Sequence, residues 1–219
     1  MSILEAGSNV VHSETEVCVV RAETPIGVVT LYAARIGVRE VRICEKSALD
    51  QDLCRGGRGT GDGGAIERRS FGVAVNADDG VRARALHWLR QICAWIEAPR
   101  GPLEVPLECG GTAFQGRVWD ALRRIPSGET RTYGGIAAAL RPPSVARAVA
   151  GACAANRAAL LVPCHRVVGM RGDLTGFRWG IGVKRELLRR ERAANGGVES
   201  SLFGDGSELK AQRVTRARH

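Results

Sequence analysis

A chain of 219 residues, 44% apolar and 25% charged, is long enough for one large domain or two small ones with a proper core. No apolar run approaches the roughly 20 residues that cross a bilayer, and the first residues lack the basic start and apolar core of a secretion signal. The seven cysteines are odd in number, scattered and free of any Cys-X-X-Cys pair, which argues against a disulfide framework and a zinc ribbon. The expectation is a cytoplasmic protein with reduced thiols and no membrane association. Net charge is +9, and it is concentrated: residues 112–192 carry 15 Lys and Arg against 5 Asp and Glu, whereas residues 1–111 carry 13 against 15. A polyanionic partner for the second half follows, nucleic acid first, although a solvated basic face has the same composition. Aromatic residues are only 5% of the chain, which disfavours a single-strand stacking surface.

In chain order, residues 1–16 lack periodicity and read as a flexible start. Val17 to Val20, Ile26 to Ala33 and Val38 to Ile43 read as strands, with a turn at Thr24-Pro25-Ile26-Gly27, and predict a small antiparallel sheet. Residues 55–66 form a glycine-rich loop, but no Gly-Lys-Ser/Thr follows, so a phosphate-binding loop is not expected. From Val81 to Ile96, Leu86, Leu89, Ile92, Cys93 and Ile96 share one helical face, with Trp88 and Trp95 as packing residues and Pro99 as the stop. Pro102 and Pro106 mark a boundary between an N-terminal sheet-and-helix domain, 17–106, and a second domain, 107–192. Thr112 is expected to cap a helix to Arg124 with Phe114, Val118, Ala121 and Leu122 inward. Thr132 caps Tyr133 to Leu140, and Ser144 caps Val145 to Ala155. That pair has the outline of a helix-turn-helix. Asn156 is expected to end the second helix in a left-handed conformation. After a Gly169–Gly172 turn and a loop Gly176-Phe177-Arg178-Trp179-Gly180, Gly182 to Arg192 is the last helix, with Val183, Leu187 and Leu188 inward. Residues 193–219 read as a disordered basic tail.

The run Leu160-Leu161-Val162 leads into Pro163-Cys164-His165-Arg166-Val167. Read as a strand, it ends or bends at Pro163, which lacks an N–H and restricts Val162. Cys164 would then stand where a buried segment opens towards a site, as an activated thiol requires. On these residues alone, a small packed thiol accounts for Cys164 equally well.

The ordered set Tyr133, Arg147, Asn156, Pro163-Cys164-His165-Arg166-Val167 and Glu191 resembles the O6-alkylguanine-DNA alkyltransferase family. The likeness covers about residues 112–192, including Ile125-Pro126-Ser127-Gly128-Glu129-Thr130 and Val145-Ala146-Arg147-Ala148-Val149. Residues 17–97 are similar to the family's less constrained N-terminal domain. The resemblance implies an α+β fold: a ribonuclease H-like sheet and helix, then a mainly helical domain with a helix-turn-helix. It implies transfer of an alkyl group from O6 of guanine in duplex DNA to Cys164, once per molecule and without a cofactor. By resemblance, His165 takes the Cys164 proton through a water and Glu191 orients the imidazole. Asn156 fixes the turn and the thiol environment, with simple helix capping as its other reading. Tyr133 presses on the phosphate of the rotating nucleotide and then protonates the departing base. Unaided, it is equally a core tyrosine. Arg147 fills the gap left by the flipped base, Arg166 joins the DNA surface, and Ala146, Ala148 and Ala150 allow close approach in the minor groove. Pro163, Phe177, Arg178 and Lys184 belong to the alkyl pocket by the same resemblance.

Phe177 stands where many members carry tyrosine, and Arg178 matches only part of the family. No zinc is expected, since Cys18, Cys44, His12 and His87 make no convincing ligand set. A monomer binding double-stranded DNA with O6-alkylguanine is the expected working form. Other readings are a damage-recognition protein of the same fold, which would lack the acceptor cysteine, a Cys164–His165 hydrolase, and a transcriptional regulator. The hydrolase leaves the charge and the helix pair unexplained, and the regulator does not need Cys164.

Overall fold

The computed structural model describes residues 17–44, 73–74 and 79–196. The flexible start, the glycine-rich loop 55–66 and residues 197–219 of the expected tail lie outside the described residues. β1 (Cys18–Thr24), β2 (Gly27–Ala33), β3 (Val38–Cys44) and β4 (Val73–Ala74) form one antiparallel sheet in the order β3-β2-β1-β4. β1 is longer than its β-branched start predicted. It continues through Arg21 and Glu23, which alternate with buried Ala22 and Thr24 in the two-residue period of a half-covered strand. The expected turn joins β1 to β2: Gly27 adopts φ 120°, and the Thr24 hydroxyl donates to the Gly27 carbonyl at 2.6 Å. β2 is buried at nearly every position, as a central strand must be when both faces are covered.

α1 (Asp79–Glu97) packs on β1 and β2 through Val81, Ala85, Trp88, Leu89, Ile92, Trp95 and Ile96. Its inward face is centred on Ile92, with the two tryptophans along one edge and Leu86 and Cys93 at the other margin. The segment after α1 closes the other edge of the sheet. Val38 N donates to Pro106 O and Glu108 N to Val38 O, both at 2.8 Å, while Val41 exchanges bonds with Arg157 and Ala159. Residues of both halves therefore share one unbroken core across the boundary expected at 106.

α2 (Ala113–Arg123) starts at Thr112 in a full capping box, with Gln115 returning the hydrogen bond. Trp119, absent from the expected apolar stripe, is buried in it and donates to Ala152 O. β5 (Arg131–Thr132) leads into α3 (Tyr133–Ala139), capped by Thr132 as expected. α4 (Ala146–Ala154) packs on α3. The expected Ser144 cap is corrected: the cap position is Val145 without a side-chain bond, and the Ser144 amide donates to Ala137 O. Asn156 is also not left-handed. α4 ends on Ala155 in right-handed geometry, and the positive φ among described non-glycine residues falls on Leu160, at 69°.

The expected strand at Leu160–Val162 is a pair of turns leading to a short 3-10 turn, Cys164–Arg166. The run is apolar because it is fully enclosed, and burial alone does not distinguish a turn from a strand. β6 (Val167–Val168) then pairs in parallel with β5, so α3 begins beside the cysteine turn. α5 (Ile181–Ala194) runs two residues past the expected end of the domain. No described helix is long and apolar enough to cross a membrane.

Candidate active site

Cys164 lies on the first residue of the 3-10 turn, 5% exposed. It opens onto a cleft of about 640 Å3 whose walls include Tyr133, Arg147, Cys153, Thr175, Phe177 and Arg178. α4 supplies one wall with Ala146, Arg147, Ala150, Cys153 and Ala154, which recur on one helical face. The loop after β6 supplies the opposite wall.

Asn156 organises the floor. Its Nδ2 donates to Val162 O at 2.9 Å and to the Cys164 sulfur at 3.2 Å, and its Oδ1 accepts from Ala158 N at 2.9 Å. One amide thus ties the turns before Cys164 together and aims a donor at the thiol, a role beyond ending a helix. Burial pushes the Cys164 thiol up to about 11, with the Asn156 hydrogen bond and the charges of Lys184 and Arg178 pulling it back. At neutral pH the sulfur is therefore protonated.

The next residue, His165, is fully buried. Its Nε2 lies 2.6 Å from Glu191 Oε1. Its Nδ1 is buried and makes no hydrogen bond within the described protein. Burial lowers the imidazole below its ordinary value, against the pull of Glu191. A neutral imidazole donating Nε2–H to a carboxylate keeps a lone pair on Nδ1, which is what a proton acceptor requires. Burial alone would raise Glu191, but His165 and Arg166 bring it down to about 2. Its oxygens accept from Gly128 N at 2.9 Å and from Arg166 Nε and Nη2 at 3.0–3.1 Å. Lys184 and Glu191, seven residues apart, share the inward face of α5.

Arg166 corrects an expectation. It does not belong to a DNA surface: it is 6% exposed, its Nη1 donates to Ile125 O at 2.6 Å, and the rest of its guanidinium holds Glu191. A buried carboxylate needs a counter-charge, and the residue two after Cys164 provides it. Lys184 lies beneath the cleft and not on its wall, with Nζ donating to Val167 O at 2.6 Å and Thr175 O at 2.9 Å. It thereby fastens the Thr175–Arg178 wall to β6. Pro163 is buried behind Cys164 and does not line the cleft, and neither does Ala148. Phe177 packs edge-on against His165 at 6.3 Å and Trp179 at 5.1 Å between ring centroids. Arg178 is exposed and donates to Ala154 O at the end of α4. Arg147 is exposed at the cleft mouth, and Tyr133 is half-buried. Burial raises the tyrosine hydroxyl, a hydrogen bond with Thr175 lowers it, and the neighbouring cysteines raise it.

Cys153, Thr175, Ile125 and Gly128 were not legible as site residues. Nothing in their spacing from Cys164 marks them, and the last two contribute through backbone atoms alone. Cys153 is raised to about 12, first by burial and then by Cys164. Among the described residues no group of three or more His, Cys, Asp or Glu is placed to hold a metal.

The family model for the DNA-binding domain of 6-O-methylguanine DNA methyltransferase matches residues 113–193, the segment that carries every group above. The inducible methylated-DNA–protein-cysteine methyltransferase of Bacillus subtilis is 42% identical over 131 residues, which are 60% of this chain and 71% of that protein. The chain belongs to this family. It is also 52% identical over 103 residues to the bifunctional transcriptional activator/DNA repair enzyme Ada of Escherichia coli. That match covers 47% of this chain but only 29% of the relative, so the chain spans under a third of that protein's length. Among solved structures, Mycobacterium tuberculosis OGT in complex with DNA is similar with a TM-score of 0.58 at 34% identity, over 80% of this chain and 92% of that one. The mixed α/β architecture agrees with these relatives.

Proposed function

We propose that this member of the family repairs DNA by transferring the alkyl group of O6-alkylguanine in duplex DNA to Cys164, in the cytoplasm and as a monomer. The observation that carries the reading is the set Cys164, His165, Glu191 and Arg166: a cleft-facing thiol next in sequence to a buried imidazole, whose carboxylate partner is paired with a buried guanidinium. The Cys164 proton passes to His165 Nδ1, through a bridging water as in the resemblance. The sulfur then forms a bond to the alkyl carbon as the carbon–O6 bond breaks. The electron pair leaves with the guanine, and the Tyr133 hydroxyl supplies the proton the base needs. The positive charge that forms on His165 is met by Glu191. Raised by its burial, Tyr133 keeps its proton until a strongly basic partner appears.

In this reading α3 and α4 act as a helix-turn-helix on the minor groove, behind a ribonuclease H-like N-terminal unit. The small side chains of Ala146 and Ala150 favour a close approach, and Arg147 at the cleft mouth occupies the place of the flipped nucleotide. The protein is mixed with methylated duplex and its intact mass is followed. One methyl per molecule on Cys164, with no further turnover, is the expected result. An unmodified Cys164 overturns the reading, and so does repair of many lesions per molecule. Arg147→Ala is expected to slow transfer from duplex about 10- to 100-fold, because unstacking costs a few kcal/mol that the cation helps offset. Transfer from the free alkylated base stays unchanged. Equal losses on both substrates in single-turnover assays would remove Arg147 from base flipping.

A hydrolase using the same pair is less well supported, since neither the exposed Arg147 nor the basic second half has a purpose in it.

A further inference from the structure

Residues 95–99, at the end of α1 in the N-terminal half, touch several supports of the Glu191 carboxylate. The Trp95 ring lies against the Arg166 guanidinium, with Cζ 5.8 Å from the ring centroid. The indole is 6% exposed and fixed by Nε1 donating to Gly101 O at 3.2 Å. Ile96 O accepts from Arg190, the neighbour of Glu191, at 3.4 Å. Pro99 O accepts from the Ser127 hydroxyl at 2.6 Å. The next amide, Gly128 N, is a direct partner of Glu191. Asn195 completes the joint, its Nδ2 lying within hydrogen-bond reach of Pro99 O, Ser127 Oγ and Glu191 O.

We infer that this segment, and Trp95 above all, is a positioning element for the Glu191–His165 pair, so that the N-terminal half helps set the basicity of the catalytic imidazole. The inference rests on the alkyl-transfer reading for its kinetic consequence. The edges of the Arg166 guanidinium are occupied: Nε and Nη2 by Glu191, Nη1 by Ile125 O. What is left to locate it is its flat face, and an indole is the side chain best suited to that face. Without the ring the guanidinium can tilt out of the Glu191 plane. The charged groups acting on His165 are Glu191, which raises it, and Arg166 and Lys184, which lower it. Loosening Arg166 weakens one lowering influence and frees the carboxylate to pull harder, so the imidazole becomes more basic. A base must be neutral to accept a proton, so the acid limb of the transfer rate moves to higher pH.

The test uses the full chain as wild type, Trp95→Ala and Trp95→Phe. Single-turnover transfer from methylated duplex is measured across pH, and His165 is titrated by NMR. Trp95→Ala is expected to slow transfer about 10- to 100-fold, as small misplacements of catalytic groups do. Its acid limb and His165 titration shift upward, and duplex affinity stays within about twofold because the DNA contacts lie elsewhere. Trp95→Phe restores most of the rate and returns the limb. An unmoved limb and titration in Trp95→Ala overturn the inference, as does a rate loss that phenylalanine leaves unrescued. Should Trp95→Ala not fold, Ser127→Ala, which removes the bond to Pro99, is expected to shift the His165 titration the same way. An unchanged titration there overturns the inference equally. Absence of transfer in the wild type would remove the functional reading, while the His165 titration still decides this one.

Discussion

Cys164→Ala is expected to abolish alkyl transfer while leaving duplex binding intact. The reaction needs a soft nucleophile that can be deprotonated near neutrality. A thiol held at about 11 by burial still meets that need with a neighbouring base, an amide donor and two cations in place, whereas a methyl group has no lone pair to offer. Cys153, the other thiol in the cleft, does not substitute. It lacks the Asn156 donor that reaches Cys164 at 3.2 Å. DNA affinity persists because the exposed Arg147 and the α4 face do not depend on the sulfur. The fold persists as well: Asn156 loses one acceptor but keeps Val162 O and Ala158 N, a change on the order of 1 kcal/mol. Gel-shift titration and intact-mass analysis check both halves. Methyl appearing on Cys153 of the variant, or repair continuing, would place the acceptor elsewhere.

The second large effect concerns stability. Glu191→Gln removes the charge between two buried cationic partners, Arg166 permanently and His165 on protonation. Breaking a buried pair by neutralising one member typically costs about 3–5 kcal/mol, because the remaining charge is left without compensation. Urea denaturation at neutral pH is expected to show a loss of that size, with transfer lost as well. The sign of the pH dependence follows from the shifts. Glu191 is depressed to about 2 in the folded protein against an ordinary value of about 4.3. Its contribution is present above the unfolded value and disappears as pH falls from about 4 towards 2. His165 is also depressed, so it too favours the unfolded state as pH falls below its ordinary value, about 6.5. The wild type should therefore lose stability on acidification in two stages, and the glutamine variant should lack the lower one. A glutamine variant as stable as wild type, with the same acid slope, would mean the pair is not what holds this region.

For such a protein, much of the chemistry is legible before any coordinates. The Pro163–Val167 block, with Tyr133, Arg147, Asn156 and Glu191 at their spacings, leads to the family and to the nucleophile, base and orienting acid proposed above. The capping residues Thr112 and Thr132, the Gly27 turn and the three main strands follow from local rules, because each rests on bonds within a few residues. Local reasoning failed where the chain is enclosed. Leu160–Val162 has the composition of a strand but folds as turns, closed by Leu161 N to Ala159 O and Val162 N to Ala158 O and pinned by Asn156 Nδ2 on Val162 O. Arg166 has the composition of a DNA contact but lies inside, because the ionised Glu191, 25 residues away, needs a partner more than a phosphate does. Trp95 is the extreme case. Its helix and its burial are evident from periodicity, but its place against Arg166, 71 residues on in the sequence, exists only in the folded chain. The sequence by itself determines which groups can react. Only the tertiary structure decides which of them are buried together: burial keeps the proton on Cys164 and off His165, and the partners buried with Glu191 keep it ionised.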